Sequence, residues 1–414
     1  MGKRALTRLT GTLTAILTVA ISGAATSQTA QVQVLNSQVQ LGDVFSQQQL
    51  HVTTPPDTAT AATSSVGNSF TATGENQNLQ ATSTQTLGAK SAALTSLVAD
   101  HGADTLVGAT TSAVGNTATL GTCCGVVSGS ARQTVTNAGQ TTADSYVGTG
   151  GGPTGQVSVD SSAVANTQGW EVVNGTTQPN ATQSNQGLVR AYVNATICCV
   201  SGASGYSATA VGNNVTVDAT NSSVNAQATQ DQETARVQAT VLVNQTTTGD
   251  FISAATATAN NINIAADTGT TSLTSTQTNG SAVSADNEVQ LQAWSGTATV
   301  SAYGVGNSAI ASNAGPQTNM TVSQTNNGDV SATASFTGGD GTSGGVNLVS
   351  TAVGNAASGY ACPSCQGGVG ATNTQVNNGG VHASTTATVN GASTVNAQAS
   401  AVGNTATYQV KSGH

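Results

Sequence analysis

The chain has few charged and few aromatic residues, and this scarcity limits what it can be. Only 6% of its 414 residues are charged and 3% are aromatic, and large aliphatic side chains are also sparse. A wide core of Leu and Phe therefore cannot form. Two possibilities stay open. One is a disordered stalk of Thr, Ser and Gly, which buries too little apolar surface to fold. The other is a thin β-structure with a narrow interior.

Basic residues are especially rare. Three of the eight Lys and Arg lie within the first eight residues, and an apolar stretch at residues 13–21 and several small residues follow them. This pattern predicts a secretory signal peptide over residues 1–25, since the apolar run is too short to span a bilayer. The exported chain keeps five basic residues against 17 acids, a net charge of −12. Nucleic acid and anionic membranes are poor partners, because nothing would neutralise their phosphates.

Repetition is what the chain has in abundance, and two polar residues mark it. An Asn closes Val-Gly-Asn, or a variant of it, every 47–50 residues: Asn68, Asn116, Asn166, Asn213, Asn260, Asn307, Asn355 and Asn404. A Gln recurs every 47–51 residues: Gln38, Gln85, Gln133, Gln183, Gln230, Gln277, Gln324 and Gln375. These markers predict an array of about eight repeats over residues 26–404, with a short C-terminal tail at 405–414. Such arrays usually bind, span or assemble.

Each repeat is predicted to consist of β-strands and turns. Apolar and polar residues alternate over short runs such as 296–303, and the runs are bounded by Gly and Asn, which is the strand pattern. We interpret Val-Gly-Asn as one turn and the Asn-Gly that follows the Gln, as at Asn279-Gly280, as another. The strict register favours ordered β-structure over a stalk. The predicted fold class is all-β: a repetitive β-solenoid, or stacked strand array, built from about eight of these repeats.

Stacked repeats would place the Asn and the Gln markers in two columns. Carboxamides about 4.7–4.8 Å apart can hydrogen-bond along such a column, which avoids the cost of burying unpaired polar groups. We therefore predict structural amide ladders from all the Asn and Gln markers. The alternative is that they mark exposed turns of separate small domains, although about 48 residues are few for a stable domain. The pattern leaves open whether a repeat is one wide coil or two coils of half its length.

The six cysteines form three local pairs, which are candidate disulfides: Cys123 and Cys124, Cys198 and Cys199, and Cys362 and Cys365. An exported chain meets an oxidising compartment, so structural disulfides are expected. The third pair lies where the stretch from marker Asn to marker Gln is longer than in the other repeats, as if a short insertion were closed by its own bridge. The two adjacent pairs could close internally or bridge to each other. No His lies near enough in sequence to suggest a zinc site.

Catalytic patterns are missing from the sequence. The four His residues share no position in the repeat, the acids are scattered, and there is no nucleophile motif or phosphate loop. Some parallel β-helices cleave polysaccharides, but that chemistry needs clustered carboxylates or basic residues on one face. We expect no enzyme activity and no cofactor or metal.

The predicted signal peptide, the near-absence of charge and the array of Val-Gly-Asn and Thr-Gln-x-Asn-Gly motifs resemble the HfaD family of holdfast anchor proteins of stalked alphaproteobacteria. The resemblance covers essentially the whole exported chain. It implies a structural role on the outer surface at the cell pole or stalk tip, fixing the adhesive holdfast polysaccharide to the envelope. It also implies two partners, a curli-like companion subunit and an outer-membrane export lipoprotein. There is a looser likeness to curli-type subunits, whose repeats are about half as long.

The sequence leaves three candidate functions. The first is a secreted anchor or adhesin that binds polysaccharide or envelope proteins through many weak contacts. The second is a functional amyloid subunit that polymerises end to end, which the few prolines and the amide ladders favour. The third, a polysaccharide-active β-helix enzyme, is disfavoured by the missing catalytic cluster.

Overall fold

The computed structural model describes residues 31–233, 235–341, 344–362 and 368–410. The predicted signal peptide, residues 1–25, lies outside this part of the chain. The described residues form 24 β-strands, and none of them belongs to a helix long and apolar enough to cross a membrane. The predicted all-β class is confirmed, and for these residues the disordered stalk is excluded.

The strands form three parallel sheets of eight strands each. Sheet A contains β1 (Gln31–Gln40), β4 (Asn78–Leu87), β7 (Val126–Val135), β10 (Thr176–Asn185), β13 (Ser223–Gln232), β16 (Thr270–Asn279), β19 (Gln317–Asn326) and β22 (Gly368–Asn377). Sheet B contains β2 (Val44–Val52), β5 (Lys90–Ala99), β8 (Gln140–Thr149), β11 (Leu188–Ile197), β14 (Val237–Thr248), β17 (Val283–Trp294), β20 (Val330–Gly341) and β23 (Val381–Gly391). Sheet C contains β3 (Thr58–Glu75), β6 (Leu106–Cys123), β9 (Gln156–Val173), β12 (Ser204–Thr220), β15 (Phe251–Ala266), β18 (Ala298–Asn313), β21 (Gly345–Ala361) and β24 (Thr394–Val410).

One repeat of the sequence is one coil of a β-solenoid. The chain passes through sheets A, B and C in turn and then starts the next coil, so coils 1–8 are consecutive triplets of strands. Equivalent residues of successive repeats are paired, as Gln85 is with Gln133 and Asn116 with Asn166. This register decides between one wide coil and two narrow ones. The last strand runs to Val410, so the expected tail at 405–414 begins within β24.

Alternation of side chains explains why these segments are strands. In β13, Val224, Ala226, Ala228 and Gln230 point inward and are buried, while the residues between them face outward. Successive side chains of a strand lie on opposite faces, so every second residue must fit the interior. Small and β-branched residues fill it, and for that reason the chain folds with so few large apolar side chains.

The prediction of a turn at Val-Gly-Asn is wrong. The motif lies in the middle of each sheet C strand, where the alternation shifts by one residue: Gly115 and Asn116 are both buried, and the pairing passes from Val114 directly to Asn116. This is a kink of the β-bulge type. A Cβ on Gly115 would lie 2.5 Å from the carbonyl oxygen of Ala165 in the next coil. The Gly therefore serves close stacking of kinked strands rather than a turn.

Because of the kink, each long sheet C strand faces sheet B with its first half and sheet A with its second half. The interior is thereby divided into two parts. One apolar cluster, with Leu97 and Val107, lies between sheet B and the first halves of the sheet C strands. The other, with Leu120 and Val127, lies between sheet A and the second halves. Burial of these clusters from coil to coil is the main apolar contribution to stability.

The connection from sheet C to sheet A has a repeated backbone conformation in the early coils. Asn76, Cys124, Asn174 and Asn221 occupy the equivalent corner and have φ values of 50° to 65°. Asn adopts this left-handed region more readily than most residues. The corner thus accounts for three Asn residues outside the two marker columns, and Cys124 occupies the same conformation.

Removing one whole repeat should shorten the solenoid without unfolding it. Deletion of residues 261–307 joins Asn260 to Ser308, which pairs with Asn261 in the intact chain, so the register is restored. We expect β-sheet circular dichroism to persist with a lower melting temperature, because one stacking interface is lost. Deletion of residues 261–284 is the control and should abolish cooperative melting. Equal behaviour of the two deletions would contradict one coil per repeat.

Candidate functional site

The Gln markers form a continuous hydrogen-bonded column inside the solenoid. In each of coils 2–8 the Gln Nε2 donates to Oε1 of the Gln one coil earlier, at 2.7–2.9 Å. In every coil the same Nε2 also donates to the sheet C carbonyl that follows the marker Asn, at 2.8–2.9 Å. Each Gln of coils 2–8 therefore links two coils and also links sheet A to sheet C.

The Asn markers form a second column that runs in the opposite sense. In coils 1–7 the Asn Nδ2 donates to Oδ1 of the Asn one coil later, at 2.7–2.8 Å. The same Nδ2 donates to the sheet A carbonyl that follows the marker Gln, at 2.7–3.1 Å. Each column is therefore bonded to the strands of the other. The Asn side chains of sheet C donate to the backbone of sheet A, and the Gln side chains of sheet A donate to the backbone of sheet C.

The columns lie between the two apolar clusters. Gln133 follows Ala131 of one cluster and precedes Val135 of the other, and Gln133 and Asn116 are buried. A buried amide without partners costs roughly 1–3 kcal/mol, whereas here both N–H groups and the carbonyl oxygen are used in the interior coils. The bonds are also more favourable in a low-dielectric interior than in water. The buried polar layer therefore stabilises the stacking of one coil on the next through side-chain hydrogen bonds.

Sequence reasoning missed a third group of buried amides. These residues end the sheet A strands, and Asn185 donates to Gln232, Asn279 to Asn326, and Asn326 to Asn377 at 2.7–2.9 Å. The Asn side chains also bond the backbone two residues ahead, as Asn279 does to the carbonyl of Ser281 at 3.1 Å. The signal was present in the Thr-Gln-x-Asn-Gly motif. Its Asn does lie at the turn into sheet B, but its side chain points inward.

Buried hydroxyls form a further network in the first coils. Thr95 donates to Thr63 at 2.8 Å, Thr111 donates to Thr95 at 2.7 Å, and Thr111 lies 2.6 Å from the hydroxyl of Ser145. In coils 4 and 5 the buried Tyr206 donates to Oε1 of Gln245 at 2.8 Å, and burial raises the pKa of this phenol. These contacts are not periodic along the whole chain, so no repeat pattern could have indicated them.

The cysteine pairs lie at different corners of the coils. Cys198 and Cys199 form a disulfide just after β11, between sheets B and C. Cys123 and Cys124 are thiols at the corner from sheet C to sheet A, too far around the coil for a bridge to the first pair. A hydrogen bond with Cys124, together with desolvation, raises the pKa of the Cys123 thiol. Cys362 is described at the end of coil 7, whereas Cys365 lies outside the described residues.

The titratable residues do not gather into a reaction centre in the part of the chain that the structure covers. No group of three or more His, Cys, Asp or Glu lies close enough there to hold a metal ion. His51 contacts Asp100 at 2.8 Å on the exposed outer surface. The repeated feature is instead structural: an interior in which amide side chains link each coil to the next.

These features define a class, the three-sheet parallel β-solenoid built from single-coil repeats. The family model described as HfaD, holdfast attachment protein D, matches residues 53–329, from just before β3 to just before β20. The match covers more than half of the chain, and the chain belongs to the holdfast attachment protein D family. The family resemblance noted in the sequence is thereby confirmed. No curated protein and no solved structure matches the chain.

Loss of one interior carboxamide should destabilise the solenoid strongly. Gln230→Leu keeps a similar volume but removes the donor to Gln183, the donor to the Asn261 carbonyl and the acceptor for Gln277. We expect the free energy of unfolding to fall by about 3 kcal/mol, because buried partners are left unpaired. Gln227→Leu, on the exposed face of the same strand, should change it by less than about 0.5 kcal/mol. If denaturant melts gave the same loss of unfolding free energy for both variants, the column would not be stabilising.

Proposed function

We propose that this protein is a secreted structural protein of the cell surface that attaches the adhesive holdfast polysaccharide to the cell envelope. The observation that carries the proposal is the family match over residues 53–329, which names holdfast attachment. The rigid solenoid suits a load-bearing link, because each coil is held to the next by parallel β-pairing and by the amide columns. The protein acts by binding, and no catalytic step is part of this role.

A repeated outer surface supports attachment through many weak contacts. The residue before each marker Gln faces outward on sheet A, and these residues are stacked in register. Seven of the eight are hydroxyl residues: Ser37, Thr84, Thr182, Thr229, Thr276, Ser323 and Thr374, with Arg132 as the exception. A row of equally spaced hydroxyls can bond a polymer at several points at once. Each contact is weak, but the combined affinity is high because the hydroxyls belong to one rigid protein and the sugars to one polymer.

The partners and the place follow from the family resemblance. We propose that the chain is exported and retained at the outer membrane, at the cell pole or stalk tip. There it works with a curli-like companion subunit and an outer-membrane export lipoprotein. The low charge of the repeats fits a protein that contacts neutral polymer and other envelope proteins rather than phosphate-rich surfaces.

Deletion of the gene in its source bacterium tests the proposal directly. We expect cells that still make the adhesive polysaccharide but release it, so that lectin staining moves from the cells to the growth surface and the medium. Re-expression of the intact gene should restore staining on the cells. Unchanged retention of polysaccharide on the deletion strain would overturn the attachment role.

A second candidate function, a curli-like fibre subunit, is favoured by one observation on the ends of the solenoid. Among the described residues, nothing pairs with the outer edges of coils 1 and 8. At the coil 8 end, Asn404 has no later Asn to receive its Nδ2 and Gln375 has no later donor. At the coil 1 end, Oδ1 of Asn68 and Nε2 of Gln38 are the matching groups. Coil 8 of one copy could therefore continue onto coil 1 of another with both columns unbroken.

Asn404→Asp separates this second candidate from a single-copy anchor. The carboxylate keeps the acceptor for Asn355 but loses the donor and would face the Asn68 carbonyl of a second copy. If copies stack end to end, the mature protein should form filaments in electron micrographs and the variant should not. Asn396→Asp makes the same charge change on the outer face of the same strand and should leave filaments intact. Wild-type protein that stays monomeric at high concentration would exclude the fibre.

A further inference from the structure

The outer face of sheet B differs from the other outer faces in coils 3 and 4. Tyr146 of β8 and Tyr192 of β11 lie side by side there, with ring centroids 5.7 Å apart and a tilt of 53°. Tyr146 is 41% exposed. The chain has only twelve aromatic residues, and four of them, Trp170, Trp294, Phe251 and Phe336, are fully buried. An outward aromatic pair is therefore exceptional in this molecule.

A charged pair borders the two rings. The Arg190 guanidinium donates through Nε to Oδ1 of Asp144 at 3.1 Å, and its Nη2 donates to the other carboxylate oxygen. The Arg190 side chain is 40% exposed, whereas that of Asp144 is only 14% exposed. Asn194 donates to the Tyr192 hydroxyl at 3.3 Å. The pairing fixes the guanidinium plane and leaves several of its five N–H donors for a ligand.

A shallow groove continues from this cluster towards coil 1. Its floor follows the solenoid axis, since Lys90 pairs with Gln140 and Gln140 with Leu188 in successive coils. Phe45 and Asp43 line its far end and Arg190 its near end. The groove and the tyrosine pair together offer apolar faces alternating with amide and charged donors over four coils.

This combination fits a carbohydrate chain better than other ligands. Sugars present apolar C–H faces that pack on aromatic rings and equatorial hydroxyls that bond planar polar groups, and both kinds of group are present here. Burial, chiefly, and the nearby Asp144 carboxylate raise the pKa of Tyr146, so its hydroxyl stays protonated and can donate. The charges of Lys90 and Arg190 are balanced by Asp43 and Asp144, which favours a neutral polymer over a polyanion.

We propose that the outer face of sheet B in coils 1–4 is a binding site for a neutral polysaccharide chain lying along the solenoid axis, with Tyr146 and Tyr192 as its stacking platform. Coils are about 4.8 Å apart, close to the length of one pyranose, so successive sugars meet equivalent rows of side chains. The site rests on the proposed attachment function and specifies where the polysaccharide is held.

The test is affinity gel electrophoresis of the mature protein with three embedded polymers: the adhesive polysaccharide shed by the deletion strain, neutral hydroxyethyl cellulose and acidic alginate. We expect the shed polysaccharide to retard the wild type and the Tyr146→Ala/Tyr192→Ala variant to bind it at least about tenfold more weakly. Tyr303→Ala is the matched control, because Tyr303 is 43% exposed on sheet C and far from the groove. Melting curves establish that the variants are folded.

Two results would overturn the site. One is equal retardation of the double variant and the wild type, which would place binding elsewhere. The other is retardation by alginate alone, which would indicate charge attraction rather than stacking. Expression of the double variant in the deletion strain separates the site from the function. Shed polysaccharide in the deletion strain, with full retention by the double variant, would leave the attachment role standing and remove only this site.

Discussion

The carboxamide-to-carboxamide hydrogen bond is the interaction on which the rest of this solenoid depends. A narrow interior of Ala, Val, Ser and Thr buries little apolar surface per coil, so apolar packing alone gives weak cohesion. The Gln and Asn columns add bonds along the axis, and their second N–H groups tie sheet A to sheet C. Because every interior amide needs a partner one coil away, the columns also fix the register. A coil that slipped by one residue would leave two buried amides without hydrogen-bond partners.

This register requirement explains where the repeat length varies. The markers of each kind keep their partners although the spacing between them is not constant. Extra residues lie in connections, such as residues 136–139 between β7 and β8, where the preceding coil has only residues 88–89 between β4 and β5. Strand segments near the columns keep the same length in successive coils. Loops tolerate insertion because their backbone is solvated, whereas an inserted residue in a strand would turn a Gln outward.

Much of this architecture is predictable from the sequence, and the features that are not predictable have physical causes. The spacing of the Asn and Gln markers and the alternation in segments such as β13 were sufficient to predict a stacked all-β array. The coil width was not predictable, because period-two alternation is the same in a narrow coil and in a wide one. Val-Gly-Asn was misread, since Gly and Asn favour turns when only local conformation is considered. Here the Gly is required because a Cβ at this position would lie 2.5 Å from a carbonyl oxygen in the next coil, which belongs to a residue one whole repeat away in sequence. The Tyr146 and Tyr192 pair was likewise invisible, because it appears once and only after the coils are aligned.

The opposite sense of the two amide columns has an electrical consequence. A carboxamide is a dipole, and a long column of aligned dipoles would accumulate partial charge at its two ends, as an α-helix does. In this solenoid the Asn dipoles point along the axis in one direction and the Gln dipoles in the other, so the two largely cancel in every coil. An added coil with one marker Asn and one marker Gln then leaves the ends no more polarised by these two columns than before. The two marker columns therefore set no electrostatic limit on the length of the solenoid, which grows by about 4.8 Å with each added coil.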